Sequence, residues 1–183
     1  TAAKLIADLK EIVPPYVRIQ RIQRDIPKPQ IIAGVMNSNL RQYARRELKS
    51  RGKKCNCINC RELWRAHIDP STAELKEIKY KSSGGDEYFL SYESGSKLLG
   101  YLRLRLDDNA TVRELKVTGQ AANIGKTGTG VQHMGLGSKL MKVAEEKAKG
   151  YAKIRVTHGP GTRLYYEKLG YSLEDYYMVK DLP

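Results

Sequence analysis

A chain of 183 residues with 40% apolar content can bury a sizeable core, and no apolar run approaches the roughly 18 residues of a membrane-spanning helix. Its three cysteines all lie between Cys55 and Cys60, which excludes a disulfide framework and suits a metal site in a reducing compartment, so a cytoplasmic location is expected. The net charge of +13 is uneven, with nine basic and two acidic residues in 41–65, and a clustered excess of this kind suits a polyanion, nucleic acid foremost, or else a solubilising surface.

The N-terminus has neither a signal-peptide apolar core nor an initiator Met, which suggests a processed or truncated chain. Residues 2–13 place Ala2, Leu5, Ile6, Leu9 and Ile12 at helical spacing and stop at Pro14-Pro15. This predicts an amphipathic helix with an apolar face in need of a partner. Tyr16 to Ile22 alternates only in part and runs into Asp25-Ile26-Pro27-Lys28-Pro29, a proline-punctuated connection. A second helix is predicted over 40–50, capped by Ser38 or Asn39 and closed by Gly52. Its Arg41, Arg45, Arg46 and Lys49 crowd the face away from the core, and Arg51, Lys53 and Lys54 extend the basic run. These seven are the candidate contacts to an RNA backbone. The first seventy or so residues carry too few elements for a compact domain and read as part of something larger, or as an arm.

Cys55-Asn56-Cys57-Ile58-Asn59-Cys60 spells C-x-C-x-x-C. Three thiolates this close can hold one tetrahedral zinc ion if a fourth ligand completes it, and His67 is the nearest candidate. Free buried thiols are the alternative. The spacing differs from the paired C-x-x-C of a zinc ribbon and from the C-x-x-x-C-x-x-C of radical enzymes that hold an iron–sulfur cluster.

From residue 76 the pattern becomes that of strands. Short β-type runs at 78–82, 88–92, 97–106 and 112–117 are separated by Gly84-Gly85-Asp86, Glu93-Ser94-Gly95-Ser96 and Asp107-Asp108-Asn109. Leu98, Gly100, Leu102, Leu104 and Leu106 alternate with Tyr101, Arg103 and Arg105, as in a half-buried antiparallel strand. A glycine-rich loop, 119–130, follows. Then comes Gln132-x-x-Gly135-x-Gly137, opening a helix to about Lys149 whose apolar face is Leu140, Val143, Ala144 and Ala148. A strand at 152–157, a short helix at 162–169 and further strand over 171–180 complete the order.

Two glycines at the mouth of a helix leave unpaired backbone N–H groups accessible at the positive end of the dipole, which makes a site for phosphate or pyrophosphate. A glycine-rich surface turn is the plainer alternative. The run is not a dinucleotide fingerprint, because Leu140 stands where the third glycine belongs, and Gly119 to Thr127 has the wrong spacing for a P-loop.

The order of elements together with Gln132-x-x-Gly135-x-Gly137 resembles the GNAT acetyltransferase superfamily. Leu164-Tyr165-Tyr166-Glu167-Lys168-Leu169-Gly170-Tyr171 is similar to that superfamily's closing "YEKLGF" segment. The fold expected is therefore α+β: a mixed, mostly antiparallel twisted sheet flanked by helices, with an N-terminal helical, zinc-binding segment. Arg113-Glu114-Leu115, Gly161-Thr162-Arg163-x-Tyr165-Tyr166, Tyr177-Met178-Val179-Lys180, Arg24-Asp25-Ile26-Pro27 and the cysteine segment with Arg61-Glu62 further resemble the catalytic subunits of Elongator complexes, a tRNA-modifying family. The resemblance covers essentially the whole chain. That family opens with a radical S-adenosylmethionine domain, whose cluster-binding cysteines have no counterpart here. The expected organisation is thus the end of such a domain and a basic linker over 1–54, a cysteine-rich zinc segment over 55–75, and an acetyl-CoA-binding domain over 76–183.

What the resemblance implies is acetyl-CoA-dependent modification of carbon 5 of the wobble uridine of tRNA. The donor would be held by Gly135, Leu136, Gly137 and Ser138 at the pyrophosphate, by Gln132 and His133 in the same loop, and by the backbone of Glu114, Leu115, Lys116 and Val117 along the pantetheine arm. Tyr166 matches the tyrosine that protonates the leaving thiolate in many members, with Tyr165 beside it; a phenol of ordinary pKa near 10 can donate a proton at neutral pH. Glu114 is a candidate base unless its side chain lies on the sheet. Zinc and acetyl-CoA are the expected ligands of this chain, while S-adenosylmethionine and a 4Fe–4S cluster belong to the longer protein only. Because carbon 5 is a poor nucleophile, this chain alone is expected to bind acetyl-CoA, and to hydrolyse it at most. Expected partners are tRNA and either a second copy or other Elongator-like subunits, with no membrane. A protein lysine acetyltransferase and a non-catalytic RNA-binding zinc module stay open as rival readings.

Overall fold

The computed structural model describes residues 1–24, 26–36, 39–63, 68–118 and 135–183, and the chain divides into two units, Thr1–Arg61 and Glu62–Pro183.

The first unit pairs α1 (Ala2–Ile12) with α2 (Leu40–Ser50) and ends in a short α3 (Ile58–Arg61). Both long helices lie where hydrophobic spacing predicts them. The buried side of α1 differs from the expected one. Ala7 and Lys10 are its buried residues, while Leu5, Leu9 and Ile12 are each more than half exposed. On α2 the buried stripe is Leu40, Ala44 and Leu48, spaced four residues apart as one side of a helix requires. Asn39 is its N-cap residue but makes no side-chain cap bond, Ser38 lies outside the described residues, and Gly52 ends the helix with φ +66°. Residues 16–22 form no strand. Their carbonyls are taken instead by side chains and by α3: Arg41 donates to Ile19 and Gln20 at 3.1 and 2.8 Å, and the Ile58 amide to Val17 at 3.0 Å. Arg61, also buried, donates to Pro15 and Asn56 at 2.8 Å each.

The second unit is a seven-stranded sheet in the order β1-β2-β3-β4-β5-β7-β6. Its strands are β1 (Glu74–Ser82), β2 (Gly85–Ser94), β3 (Lys97–Leu106), β4 (Ala110–Val117), β5 (Lys153–Thr157), β6 (Ser172–Glu174) and β7 (Tyr177–Asp181). All neighbours are antiparallel except β4 and β5. β1 begins four residues earlier than its apolar run suggests, because Glu74–Glu77 sit on an exposed edge where pairing alone is needed. The terminal run is two strands, not one, folded back at Asp175 with φ +52°. Between β4 and β5 runs α4 (Leu136–Lys147), and after β5 a 3₁₀ turn leads into α5 (Arg163–Glu167), shorter than predicted. α4 lays Leu140, Met141 and Ala144 on Leu90, Leu102, Leu104, Val112, Ile154, Val156 and Met178 of the sheet, which forms the main core. On the other face, Phe89 and Tyr101 stack at 5.4 Å.

Candidate functional site

A bulge in β4 opens the sheet. Arg103 pairs with Glu114 while Leu104 pairs with Val112, so Arg113 is an extra residue on β4. The parallel pairing with β5 covers only Ala110, Thr111 and Val112. Beyond that point β4 keeps β3 on one side but, among the described residues, has no strand on its β5 side. The cleft so formed has a volume of about 380 Å³ and is lined by Leu115 and Val117 of β4, Gly135, Gly137 and Ser138 at the mouth of α4, and Thr162, Tyr165 and Tyr166. A larger concavity, about 620 Å³, lies in the first unit among Ile22, Arg24, Ile26, Ile31 and Met36, far in composition from any acyl-transfer site.

Gly135 caps α4 with φ +66°, a left-handed conformation that glycine adopts without strain. The first helical bond runs from the Lys139 amide to the Gly135 carbonyl at 2.9 Å, so the amides of Leu136, Gly137 and Ser138 precede the helical ladder and point out of its positive end. Gly137 is there for room. A Cβ at this position would lie 2.6 Å from the Tyr165 hydroxyl and 3.6 Å from Val117 Cγ2.

The two tyrosines of α5 occupy different settings. Tyr165 is 38% exposed, with its hydroxyl at the α4 mouth and hydrogen-bonded to Ser138, and burial of its ring raises its pKa above the ordinary value. Tyr166 is 5% exposed, with ring contacts to Tyr165 at 5.1 Å and Tyr171 at 6.0 Å. Burial, with the neighbouring Tyr165 adding to it, pushes Tyr166 up to about 12. Behind them Tyr171 donates to Glu145 at 2.8 Å and Lys180 reaches both Glu145 oxygens at 3.1 Å, a network that spacing alone does not reveal.

Glu114 is not free to act as a base. Its carboxylate accepts from the buried Tyr101 hydroxyl and from Arg103 Nε at 3.0 Å, on the sheet face opposite α4. Lys116 is likewise engaged, paired with Glu62 at 2.9 Å. What β4 offers the cleft is therefore its backbone and the apolar Leu115 and Val117. Gln132, His133 and the rest of 119–134 lie outside the described residues, as does His67.

In the first unit, the Sγ atoms of Cys55, Cys57 and Cys60 lie within 4.8 Å of one another. Sulfurs bonded to one tetrahedral ion at about 2.3 Å would stand roughly 3.8 Å apart, so the three donors fit a soft metal ion with little adjustment. Cys60 is held far below the ordinary thiol range by hydrogen bonds from Cys55 and Cys57, with Arg45 and Lys10 assisting; Cys55 is driven up for the converse reason. Lys10, 1% exposed, places Nζ 3.6 Å from Cys60 Sγ, and Arg45 reaches the same sulfur at 3.8 Å. Sequence reading missed Lys10, because a lysine in an amphipathic helix is ordinarily assigned to the solvent side.

The seven basic residues sort into two groups. Arg41 is spent on backbone carbonyls and Arg45 on Cys60, Arg51 binds Asp8 and Glu47, and Lys53 binds Glu11 at 2.9 Å. Arg46, Lys49 and Lys54 have no carboxylate partner among the described residues. No helix among the described residues is long and apolar enough to cross a membrane.

Comparison with known proteins matches two families to the chain. Residues 59–171 match the Acetyltransferase (GNAT) family and residues 1–50 match the Radical_SAM C-terminal domain. The chain is 42% identical to a tRNA uridine(34) acetyltransferase of Dehalococcoides mccartyi, over 100% of its own length and 44% of that protein's. It is 40% identical to the human Elongator complex protein 3, over 98% of its length and 37% of the relative's. The chain thus spans less than half of the length of these curated relatives. A solved structure of the archaeal Methanocaldococcus infernus Elp3, lacking its residues 1–46, superposes with a TM-score of 0.88 at 39% identity, covering 98% of this chain and 48% of that one.

Proposed function

Since the chain belongs to the GNAT acetyltransferase family, we propose that its second unit is the acetyl-donor part of an acetyl-CoA-dependent enzyme that modifies uridine 34 of tRNA. In this reading the first unit grips the RNA and contains a structural zinc ion held by Cys55, Cys57 and Cys60, with His67 as the candidate fourth ligand. The observation that carries the reading is the convergence, in one cleft, of an unpaired strand edge, a glycine-headed helix mouth and a buried phenol. The acceptor is taken from the relatives, which are tRNA uridine(34) acetyltransferases.

The amides of Leu136, Gly137 and Ser138 receive the donor's pyrophosphate, an anion at a helix N-terminus. The edge of β4 from Glu114 to Val117 pairs with the amide-bearing arm as an added strand would. Bound acetyl-CoA supplies an acetyl group activated as a thioester. Tyr166, with its pKa raised to about 12, stays protonated at neutral pH and is the acid for the departing sulfur. Tyr165 fixes the helix mouth through Ser138. Zinc, where bound, neutralises thiolate charge and ties the cysteine segment to the body of the first unit. In this reading the basic surface of the first unit meets the RNA through phosphate contacts, which weaken steeply as salt rises.

A thermal-shift titration tests the donor site. Acetyl-CoA should raise the melting temperature of the chain progressively with concentration, and Gly135→Glu should abolish the rise, while Gly135→Asn, which tolerates the left-handed backbone, should keep it. An unchanged melting temperature in the folded wild type, or a rise that survives Gly135→Glu, would refute the placement of the donor.

A further inference from the structure

We propose that the outer face of α2 is a binding surface for unpaired RNA, on which a base stacks against Tyr43 while Arg46 and Lys49 take the adjoining phosphates. This rests on the tRNA reading above and specifies which part of the RNA this helix meets.

Tyr43 is 41% exposed in the middle of a helix whose buried stripe is Leu40, Ala44 and Leu48. Arg46 and Lys49 follow at steps of three residues, so the three side chains run along one side of the helix, away from that stripe. The Arg46 guanidinium lies 5.8 Å from the centroid of the Tyr43 ring, which joins a π-face and a cation into one platform. Glu47, the only acid in α2, is turned to Arg51, with Nη2 to Oε1 at 2.9 Å. The face therefore presents an aromatic ring and two cations with no carboxylate among them.

The same sorting of cations narrows the surface. Arg41, Arg45, Arg51 and Lys53 are held by the unit's own carbonyls, thiol and carboxylates. Pulling any of them away to a phosphate would undo those bonds. Among the described residues Arg46 and Lys49 have no such tie, and the contact that steers Arg46 is the Tyr43 ring. Lysines and arginines by themselves serve a duplex as well as a single strand, because both display phosphates. The tyrosine breaks that symmetry. Base π-faces are hidden inside a duplex stack but free in a single-stranded loop, where stacking on an aromatic side chain is the usual mode of recognition.

The experiment is fluorescence anisotropy of the chain with two labelled RNAs: a hairpin with a seven-nucleotide loop and a blunt duplex of equal phosphate number, each over a range of salt. The chain should prefer the hairpin. Tyr43→Ala should weaken hairpin binding by roughly tenfold and leave duplex affinity and the salt slope unchanged, with Tyr43→Phe keeping wild-type affinity. Arg46→Gln and Lys49→Gln should each flatten the salt slope by about 0.7 to 0.9. Hairpin binding that is indifferent to Tyr43→Ala, or lost equally for both RNAs, would overturn the proposal while the tRNA reading stands. A wild-type chain that binds neither RNA would bring down both.

Discussion

The second unit closes over a continuous apolar core in which Leu90, Leu102, Leu104, Leu140, Ile154, Val156 and Met178 are fully buried. Among the described residues, the buried ones of the first are instead Ala7, Leu40, Ala44, Leu48, Cys57 and Ile58, interleaved with Lys10 and Arg61. Three of those six apolar groups are alanine or cysteine, so area burial contributes little there. Directed bonds take over: guanidinium to carbonyl, amide to carbonyl, cation to sulfur. Such bonds are each worth about 1 to 3 kcal/mol and hold only while both partners stay in place. The sheet unit can lose one contact and remain folded, whereas the helical unit depends on a few particular ones.

Removing the metal proposed for the cysteine cluster is the strongest way to test that contrast. Chelation, or Cys57→Ser, should strip hydrogen-exchange protection from α1 and α2 while the amides of β2 to β4 keep theirs, because metal binding is folding free energy in a small unit. Equal loss in both units would mean that they share one cooperative fold. Next in size, Leu102→Ala should cost roughly 3 kcal/mol in urea denaturation, and the loss should appear in the sheet amides and leave α1 and α2 unaffected.

A smaller effect sits in the cleft. Gly137→Ala should weaken acetyl-CoA binding by about tenfold, because the methyl displaces the Tyr165 hydroxyl at the helix mouth, while the gain of nearly 1 kcal/mol in helix propensity offsets part of the strain. Adding Tyr165→Phe removes the oxygen 2.6 Å from the new methyl and should restore part of the affinity, which calorimetric titration would resolve. The smallest effect is alkaline. A phenol raised by burial contributes stability that is intact below about pH 10 and is lost as pH rises toward about 12. The urea midpoint should therefore fall over that range more in the wild type than in Tyr166→Phe.

The elements of the second unit were legible because their residues obey a single period. The bounds of β3 match the predicted ones, and its alternation holds in the second half, whereas residues 98–102 are all buried because both faces of the sheet are covered there. The anion-binding mouth was legible for a local reason, since Gly135 and Gly137 act through backbone alone. Glu114 was less so: whether a strand carboxylate faces cleft or sheet depends on the bulge at Arg113, and a bulge leaves no mark on hydropathy. In the first unit, Leu5, Leu9 and Ile12 were given a core side that falls to Ala7 and Lys10. Periodicity names the apolar side of a helix but not the side that the rest of the unit covers. Nor does it foresee a buried ammonium, whose justification is a thiol fifty residues away.

The close approach of Tyr165 to Gly137 also constrains how this sequence can change over time. A methyl at residue 137 arriving first meets the phenolic oxygen at 2.6 Å, so that step is damaging. If the oxygen is lost first, the nearest remaining Tyr165 atom is 3.5 Å away, ordinary contact range, and the methyl can follow. The same pair of substitutions is thus costly in one order and open in the other. A library that varies residues 137 and 165 together should recover pairs that selection starting at residue 137 alone disfavours.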